Sequence, residues 1–129
     1  MITADTSAII AVLTGESERQ AFSDMMVEDG QVLVSTATAV EVLIVAAGKG
    51  DHIYQHAVRF LQEPFIILVP LDRQQMWAAG EANLRYGKGR HPAALNFGDT
   101  FAYALASVRN LPLLFKGNDF ARTNVTPAV

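Results

Sequence analysis

The sequence predicts an α/β protein in which a mainly parallel sheet is covered by helices on both faces. Short apolar segments alternate along the chain with longer segments whose apolar residues recur at helical spacing. This alternation is typical of parallel sheets, because two parallel strands are joined by a crossover that is usually a helix. The segment from Phe65 to Leu71 is almost continuously apolar, as expected for a strand buried on both faces.

Length and composition predict one domain over residues 1–129. The chain has 129 residues, of which 50% are apolar, and it contains no repeat, low-complexity tract or linker. A chain of this size and apolar content can bury a core without help from disulfides.

Two strands and four helices are predicted before Pro64, and capping or breaking residues set their ends. Thr6 and Ser7 can cap the first helix, and Ser35 or Thr36 can cap the third. Pro64 stops the fourth helix, because proline cannot donate the next backbone hydrogen bond. The strands are expected at residues 1–4 and 31–34, and the helices at 6–14, 16–28, 36–47 and 51–63.

The second half of the chain is predicted to contain two strands and two helices, followed by a short last strand. Asp72 is placed to cap the fifth helix. Gly117, Asn118 and Asp119 form a predicted turn, because all three residue types favour turn conformations. The strands are expected at 65–71 and 111–115 with a further one near 124–126, the helices at 73–86 and 97–110, and a loop at 87–96.

The composition of the chain limits the cellular compartments and the kinds of metal site that are expected for it. The chain has no cysteine, which excludes disulfides and thiolate metal sites and is consistent with a reducing cytoplasm. Its N-terminus lacks the basic and apolar regions of a signal peptide. The longest apolar stretches, such as Val42 to Ala47, are far shorter than the ~20 residues of a membrane span. A soluble, cytoplasmic protein with no membrane partner is therefore expected.

The net charge of −3 argues against a nucleic-acid-binding protein, since such proteins are normally basic. A metal site would change this balance. If four of the 13 acidic residues held metal, nine would remain against ten basic residues. The bound divalent ions would add further positive charge, and the local field would then suit a phosphate backbone.

Four acidic residues stand at the ends of predicted elements or in apolar surroundings. Asp5 follows the first strand and Asp119 follows the strand at 111–115, while Glu41 and Asp99 lie near the starts of helices. Sites in parallel sheets form beyond the carboxyl ends of the strands, so these residues are expected to cluster. Glu41 is the only charge between positions 31 and 48. An apolar helix is expected to be buried on most sides, and burying a carboxylate within it is costly unless a cation or hydrogen-bond donors meet it.

Each acid also has a purely structural interpretation. Asp5 could cap the helix that follows it, Asp99 could stabilise a helix N-terminus, and Asp119 could be an ordinary turn residue. Taken together, the four indicate an all-oxygen site for Mg²⁺ or Mn²⁺. Such ions support phosphodiester hydrolysis, because they activate water and neutralise charge on the attacked phosphate.

At these residues the chain resembles the PIN-domain family, and specifically the VapC-type toxins of bacterial toxin–antitoxin pairs. The resemblance covers nearly the whole chain, and the segment around Asp99 is its most specific part. The matching segments are MITADTSAI at 1–9, TATAVEVLIV at 36–45, HPAALNFGDTFAYALA at 91–106 and LPLLFKGNDFARTNV at 111–125.

The resemblance implies a three-layer α/β/α sandwich and an Mg²⁺- or Mn²⁺-dependent endoribonuclease that hydrolyses RNA through metal-activated water. It also implies inhibition by a cognate antitoxin and a homodimer. Asp5, Glu41 and Asp99 fall on the family's three metal-ligating acids, and Asp119 falls on a fourth, more variable acidic position. Many relatives have two adjacent acids there, so Asn118 is a candidate oxygen ligand beside Asp119.

Four further residues are candidates for contacts around the metal or with substrate. Thr6 and Asn96 match family positions that often line the site. Arg90 and His91 belong to a basic loop, Lys88-Gly89-Arg90-His91, that could hold RNA phosphates or could be an ordinary solvated loop.

Two other functions remain open. One is a catalytically inactive PIN-like module that binds an antitoxin or nucleic acid, which the Asn118-Asp119 pair favours. The other is a different hydrolase on the same kind of sheet, such as a phosphatase.

Overall fold

The computed structural model describes residues 1–129 and contains four short strands. They are β1 (Ile2–Ala4), β2 (Val32–Ser35), β3 (Ile66–Val69) and β4 (Leu113–Leu114). All neighbouring strands pair in parallel, in the order β3-β2-β1-β4. The predicted parallel α/β sheet is confirmed.

Six helices cover the sheet, and each corresponds to a predicted one. They are α1 (Thr6–Leu13), α2 (Arg19–Asp29), α3 (Thr36–Gly48), α4 (Asp51–Phe60), α5 (Arg73–Tyr86) and α6 (Phe97–Arg109). Ser35 caps α3 and Asp72 caps α5, as predicted. The cap predicted at Thr6 or Ser7 is wrong, and the alternative that Asp5 caps the first helix is confirmed, because Asp5 occupies the N-cap position of α1. None of the helices is long and apolar enough to cross a membrane.

The helices form one layer on each face of the sheet. Side chains alternate along β2, so Val32 and Val34 pack into a core with α1 to α4, whereas Leu33 packs with Leu105 of α6 on the other face. On that second face α6 lies against β1, β2 and β4, and α5 packs against α6. The result is the three-layer α/β/α sandwich.

The expectation that the strand at 65–71 is buried on both faces is wrong. β3 lies at the edge of the sheet, and Ile67 and Leu68 are 38% and 45% exposed. Because consecutive strand residues point to opposite faces, both faces of β3 are only partly covered. An edge strand meets neighbours on one side alone, and this position cannot be read from its apolar composition.

The short last strand expected near 124–126 does not form. A single bridge instead pairs Pro127 with Leu113 of β4, supported by a hydrogen bond from the Leu113 N–H to the Thr126 carbonyl at 2.8 Å. The Ala128 N–H donates to the Leu113 carbonyl at 2.9 Å, which completes this bridge.

Candidate functional site

The sheet changes direction between β1 and β4. The chain adds β2 and then β3 on one side of β1. It then returns and places β4 on the other side of β1. The Asp5 N–H donates to the carbonyl of Leu114 at 3.0 Å, so the end of β1 is joined to the end of β4. A crevice at such a switch point is the usual ligand site of a parallel sheet. Asp5 stands at its base.

Asp5 is the most deeply buried acid of the candidate set, with 3% of its surface exposed. Its Oδ2 accepts hydrogen bonds from the Ser7 N–H at 3.0 Å and the Ser7 hydroxyl at 2.7 Å. This is the helix-capping role considered above, and it uses only one carboxylate oxygen. Oδ1 is equally buried and has no hydrogen-bond partner, so it is available to a further ligand.

Burial raises the pKa of Asp5 from 3.8 to about 7. Desolvation is the largest cause, the hydrogen bonds from Ser7 oppose it, and the negative charges of Asp99 and Glu41 add to it. The three acids are thus close enough for their charges to repel one another. A cation among them would relieve both the desolvation and the repulsion.

Glu41 lies on α3 and is half-buried. The Thr6 hydroxyl donates a hydrogen bond to its Oε1, which connects the start of α1 to the middle of α3. The expectation that α3 is buried on most sides is wrong, because Val40 and Ile44 on either side of Glu41 are 54% and 67% exposed. The isolation of Glu41 among apolar residues therefore overstated its burial, and Asp5 has the stronger physical case.

Asp99 and Asn96 form a capping box at the start of α6. The Asp99 N–H donates to Asn96 Oδ1 at 2.9 Å, and the Asn96 N–H donates to Asp99 Oδ2 at 3.0 Å. The helix-stabilising interpretation of Asp99 is therefore confirmed as a structural role. Burial raises its pKa, the Asn96 N–H lowers it, and the charges of Asp119 and Glu41 raise it further.

Asp119 is exposed and directly precedes a single 3-10 turn at Phe120–Arg122. Its negative charge contributes to the raised pKa of Asp99, so it belongs to the same electrostatic cluster. The neighbouring Asn118 is also exposed. In their present rotamers no three acidic or histidine side chains are arranged to hold a metal ion. A metal ion at this site would require the less buried acidic side chains to turn toward Asp5.

The basic loop is not joined to the acids by any hydrogen bond. Arg90 is exposed. His91 is engaged within the loop, because its Nδ1 accepts from the Ala93 N–H at 3.0 Å and its ring lies edge-on to Tyr86 with 5.0 Å between ring centres. Arg122 also contacts this loop, donating to the Pro92 carbonyl at 3.2 Å. His91 has a structural role that the sequence did not indicate.

Sequence reasoning missed two residues that shape the cluster. Ser7 accepts a hydrogen bond from the Lys116 N–H at 3.0 Å while donating to Asp5, and so ties the segment after β4 to Asp5. Gly98 lies against the Glu41 carboxylate, where an ideal Cβ would overlap Oε2. Ser7 lies two positions after Asp5 and Gly98 lies directly before Asp99, and nothing in the local pattern indicated these contacts.

A family model described as the PIN domain matches residues 2–125 of the chain. The chain belongs to the PIN-domain family. Among other PIN-domain proteins it is 42% identical over 122 residues to "Ribonuclease VapC" of Mycolicibacterium smegmatis, which covers 94% of this chain and 95% of that one. It is 39% identical over 122 residues to "Ribonuclease VapC30" of Mycobacterium tuberculosis, covering 94% and 93%.

Solved structures of PIN-domain toxins share the fold. VapC20 of Mycobacterium tuberculosis, described as a sarcin-ricin loop cleaving toxin, matches with a TM-score of 0.80 at 14% identity and covers 98% of this chain and 97% of its own. A toxin–antitoxin complex from Klebsiella pneumoniae matches with a TM-score of 0.74 at 20% identity, covering 100% and 98%. The family resemblance inferred from the four sequence segments is confirmed.

Proposed function

We propose that this chain is an Mg²⁺- or Mn²⁺-dependent endoribonuclease and the toxin component of a VapBC-type toxin–antitoxin module, formed by one PIN-like domain over residues 1–129. The observation that carries the proposal is the unpartnered, buried Oδ1 of Asp5 within a cluster of mutually repelling carboxylates at the sheet's switch point. The curated relatives named VapC ribonucleases support the reaction class.

The donor set suits a hard divalent cation. Asp5, Glu41 and Asp99 are the proposed ligands, with Asp119 or the amide oxygen of Asn118 completing the site. Carboxylate and amide oxygens are the ligands that Mg²⁺ and Mn²⁺ prefer. The buried oxygen of Asp5 without a donor and the raised pKa values of Asp5 and Asp99 support a cation site. The exposed Asp119 has room to turn toward the ion.

A bound divalent ion would lower the pKa of a water molecule and neutralise charge on the scissile phosphate. The protein's own contribution is to hold each carboxylate in place. Asp5 is fixed by Ser7, Glu41 by Thr6, and Asp99 by Asn96. These donors stabilise the ionised carboxylates and restrict their rotation, as partners of metal ligands commonly do.

The remaining contacts concern the RNA strand. We assign Arg90 to the phosphate backbone, because its guanidinium is exposed at the tip of the basic loop. His91 supports the loop through Ala93 and Tyr86, and we propose that it acts on substrate indirectly by holding Arg90 in place.

The proposed partners are a cognate antitoxin and a second copy of the chain. Structural neighbours include a toxin–antitoxin complex and VapBC2 from Rickettsia felis bound to a DNA fragment from its promoter. Large apolar side chains are exposed on α3, α5 and the start of α6, and monomers rarely leave such groups uncovered together. They are Val40, Ile44, Met76, Trp77, Leu84 and Phe97. RNA and antitoxin would both be met in the cytoplasm, where we propose that the protein acts.

The test is cleavage of RNA with Mg²⁺ or Mn²⁺ by the wild type, Asp5→Asn and Asp99→Asn. Both variants keep the size of the side chain and an oxygen that can accept the capping hydrogen bonds. We expect each to lose at least about 100-fold in rate, and chelator to stop the wild type. The control is Asp24→Asn, an exposed acid on α2, which should cut normally. Full activity of the site variants would refute the assignment.

A catalytically inactive binding module is the second candidate. It is favoured by the present rotamers, in which no three acidic side chains are arranged around one point, and by Asn118 in place of an acid. Calorimetric titration with Mn²⁺ separates the two functions. A catalytically inactive module should show no specific Mn²⁺ binding. The nuclease should bind Mn²⁺ and should lose that binding in the Asp5→Asn variant.

A further inference from the structure

Gly98 occupies a position in which any side chain would collide with Glu41. An ideal Cβ built there would overlap Oε2 of Glu41 and would lie 2.5 Å from its Cδ and 2.6 Å from its Oε1. The Glu41 carboxylate therefore occupies the space that a side chain of residue 98 would need. Gly98 itself lies in the first turn of α6, next to Asp99. No other glycine in the chain is approached by an acidic side chain.

The backbone does not require glycine at this position. Gly98 is absent from the residues with positive φ, so an alanine could adopt the same conformation. Glycine is also a poorer helix former than alanine. By contrast, Gly48 on α3 has nothing within 4 Å of its ideal Cβ. Space for the Glu41 carboxylate is the property that distinguishes Gly98.

Two contacts hold that carboxylate. The Thr6 hydroxyl donates to Oε1, while Oε2 lies against Gly98. We propose that Gly98 is a positioning residue, whose missing side chain allows the Glu41 carboxylate to sit beside Asp99 where both can reach one divalent ion. The metal part of this inference rests on the function proposed above.

The collision of an alanine at this position would be with the far end of a flexible side chain and not with backbone. Glu41 is half-buried and can swing away, so Gly98→Ala should fold normally and unfold at the wild-type temperature or above. Its effect should be confined to the position of the carboxylate. This separates a positioning role from a structural one.

The experiment compares wild type, Gly98→Ala and the matched control Gly48→Ala. Isothermal titration with Mn²⁺ should show at least tenfold weaker binding for Gly98→Ala, as for other residues that orient metal ligands, and unchanged binding for Gly48→Ala. In metal-free protein the side-chain carboxyl carbon resonance of Glu41 should move in Gly98→Ala alone. Unchanged binding and an unmoved resonance would overturn the proposal.

A double-mutant cycle with Glu41→Asp tests the direct relation. The aspartate is one methylene shorter and retracts from position 98, so adding Gly98→Ala to it should cost less affinity than adding Gly98→Ala to the wild type. Purely additive effects would refute the contact as the cause. If wild-type protein bound no Mn²⁺, the proposed function would fail instead, and the Glu41 resonance would still decide whether Gly98 places the carboxylate.

Discussion

The Thr6 hydroxyl donates a hydrogen bond to Oε1 of Glu41, 35 positions further along the chain. Thr6 directly follows Asp5, so the end of β1 supplies one acid of the cluster and the donor that orients another. This arrangement depends on the parallel pairing of β1 with β2, which brings the starts of α1 and α3 side by side. Two acids far apart in sequence are thereby held in one place.

Replacing Thr6 with valine should weaken metal binding. Thr6→Val keeps the shape of the side chain and removes only the donor to Glu41. We expect Mn²⁺ affinity to fall by about 10- to 100-fold, the usual effect of losing a group that orients a metal ligand. Isothermal titration measures this change. Thr126→Val, at an exposed position, is the control, and equal affinities in the two variants would contradict the orienting role.

Removing the Ser7 hydroxyl should destabilise the fold. That hydroxyl donates to Asp5 and accepts from the Lys116 N–H. Ser7→Ala therefore removes one hydrogen bond from the Asp5 carboxylate and one from the Lys116 N–H. We expect a loss of about 1–3 kcal/mol in the free energy of unfolding, measured by urea denaturation without metal. Ser107→Ala, on the exposed side of α6, should change stability little. A Ser7→Ala variant as stable as that control would show that the bridge contributes nothing.

Metal-free protein should lose stability as the pH rises from about 4 to about 7. Burial raises the pKa of Asp5 from 3.8 to about 7, so within this window the folded protein keeps a proton that the unfolded chain releases. Stability therefore falls with increasing pH and levels off above the folded-state pKa. A shift of this size corresponds to about 4 kcal/mol.

Asp5→Asn isolates this effect, because asparagine does not titrate. The difference in unfolding free energy between variant and wild type should grow in favour of the variant from pH 4.5 to pH 7.5 in chelator. Urea denaturation at a series of pH values provides the measurement. A difference that stays constant across the window would mean that Asp5 titrates in the folded protein as it does in the unfolded chain.

Local signals predicted the helices well. Ser35 and Asp72 act on the neighbouring backbone, so their effect can be read from a few residues of sequence. The capping box of Asn96 with Asp99 was not predicted, although Asp99 was expected to stabilise the helix start. The cap of α1 was misplaced by one or two positions because aspartate, serine and threonine all serve as caps and are adjacent there.

Burial could be predicted less well, because it depends on tertiary position. Glu41 was expected to lie in a helix buried on most sides, yet α3 exposes Val40 and Ile44 on either side of it. Asp5 shares its apolar sequence context with Glu41, but it lies at the end of β1, which is flanked by β2 and β4. The spacing between Gly98 and Glu41 depends on how α3 packs against α6. None of these relations is encoded within a short segment.

The exposure of β3 predicts unequal costs for two leucine truncations. Leu33 on the central strand β2 is 2% exposed and packs with Val69 and Leu105, whereas Leu68 on the edge strand is 45% exposed. Leu33→Ala should lower the free energy of unfolding by about 2–5 kcal/mol, because it leaves a cavity that the sheet cannot close. Leu68→Ala should lower it by less than about 1.5 kcal/mol, since much of its side chain already contacts water. Urea denaturation of the two variants under one set of conditions gives the comparison. Equal losses would mean that Leu68 is covered in solution, and the dependence of its loss on protein concentration would then show whether a second copy of the chain covers it.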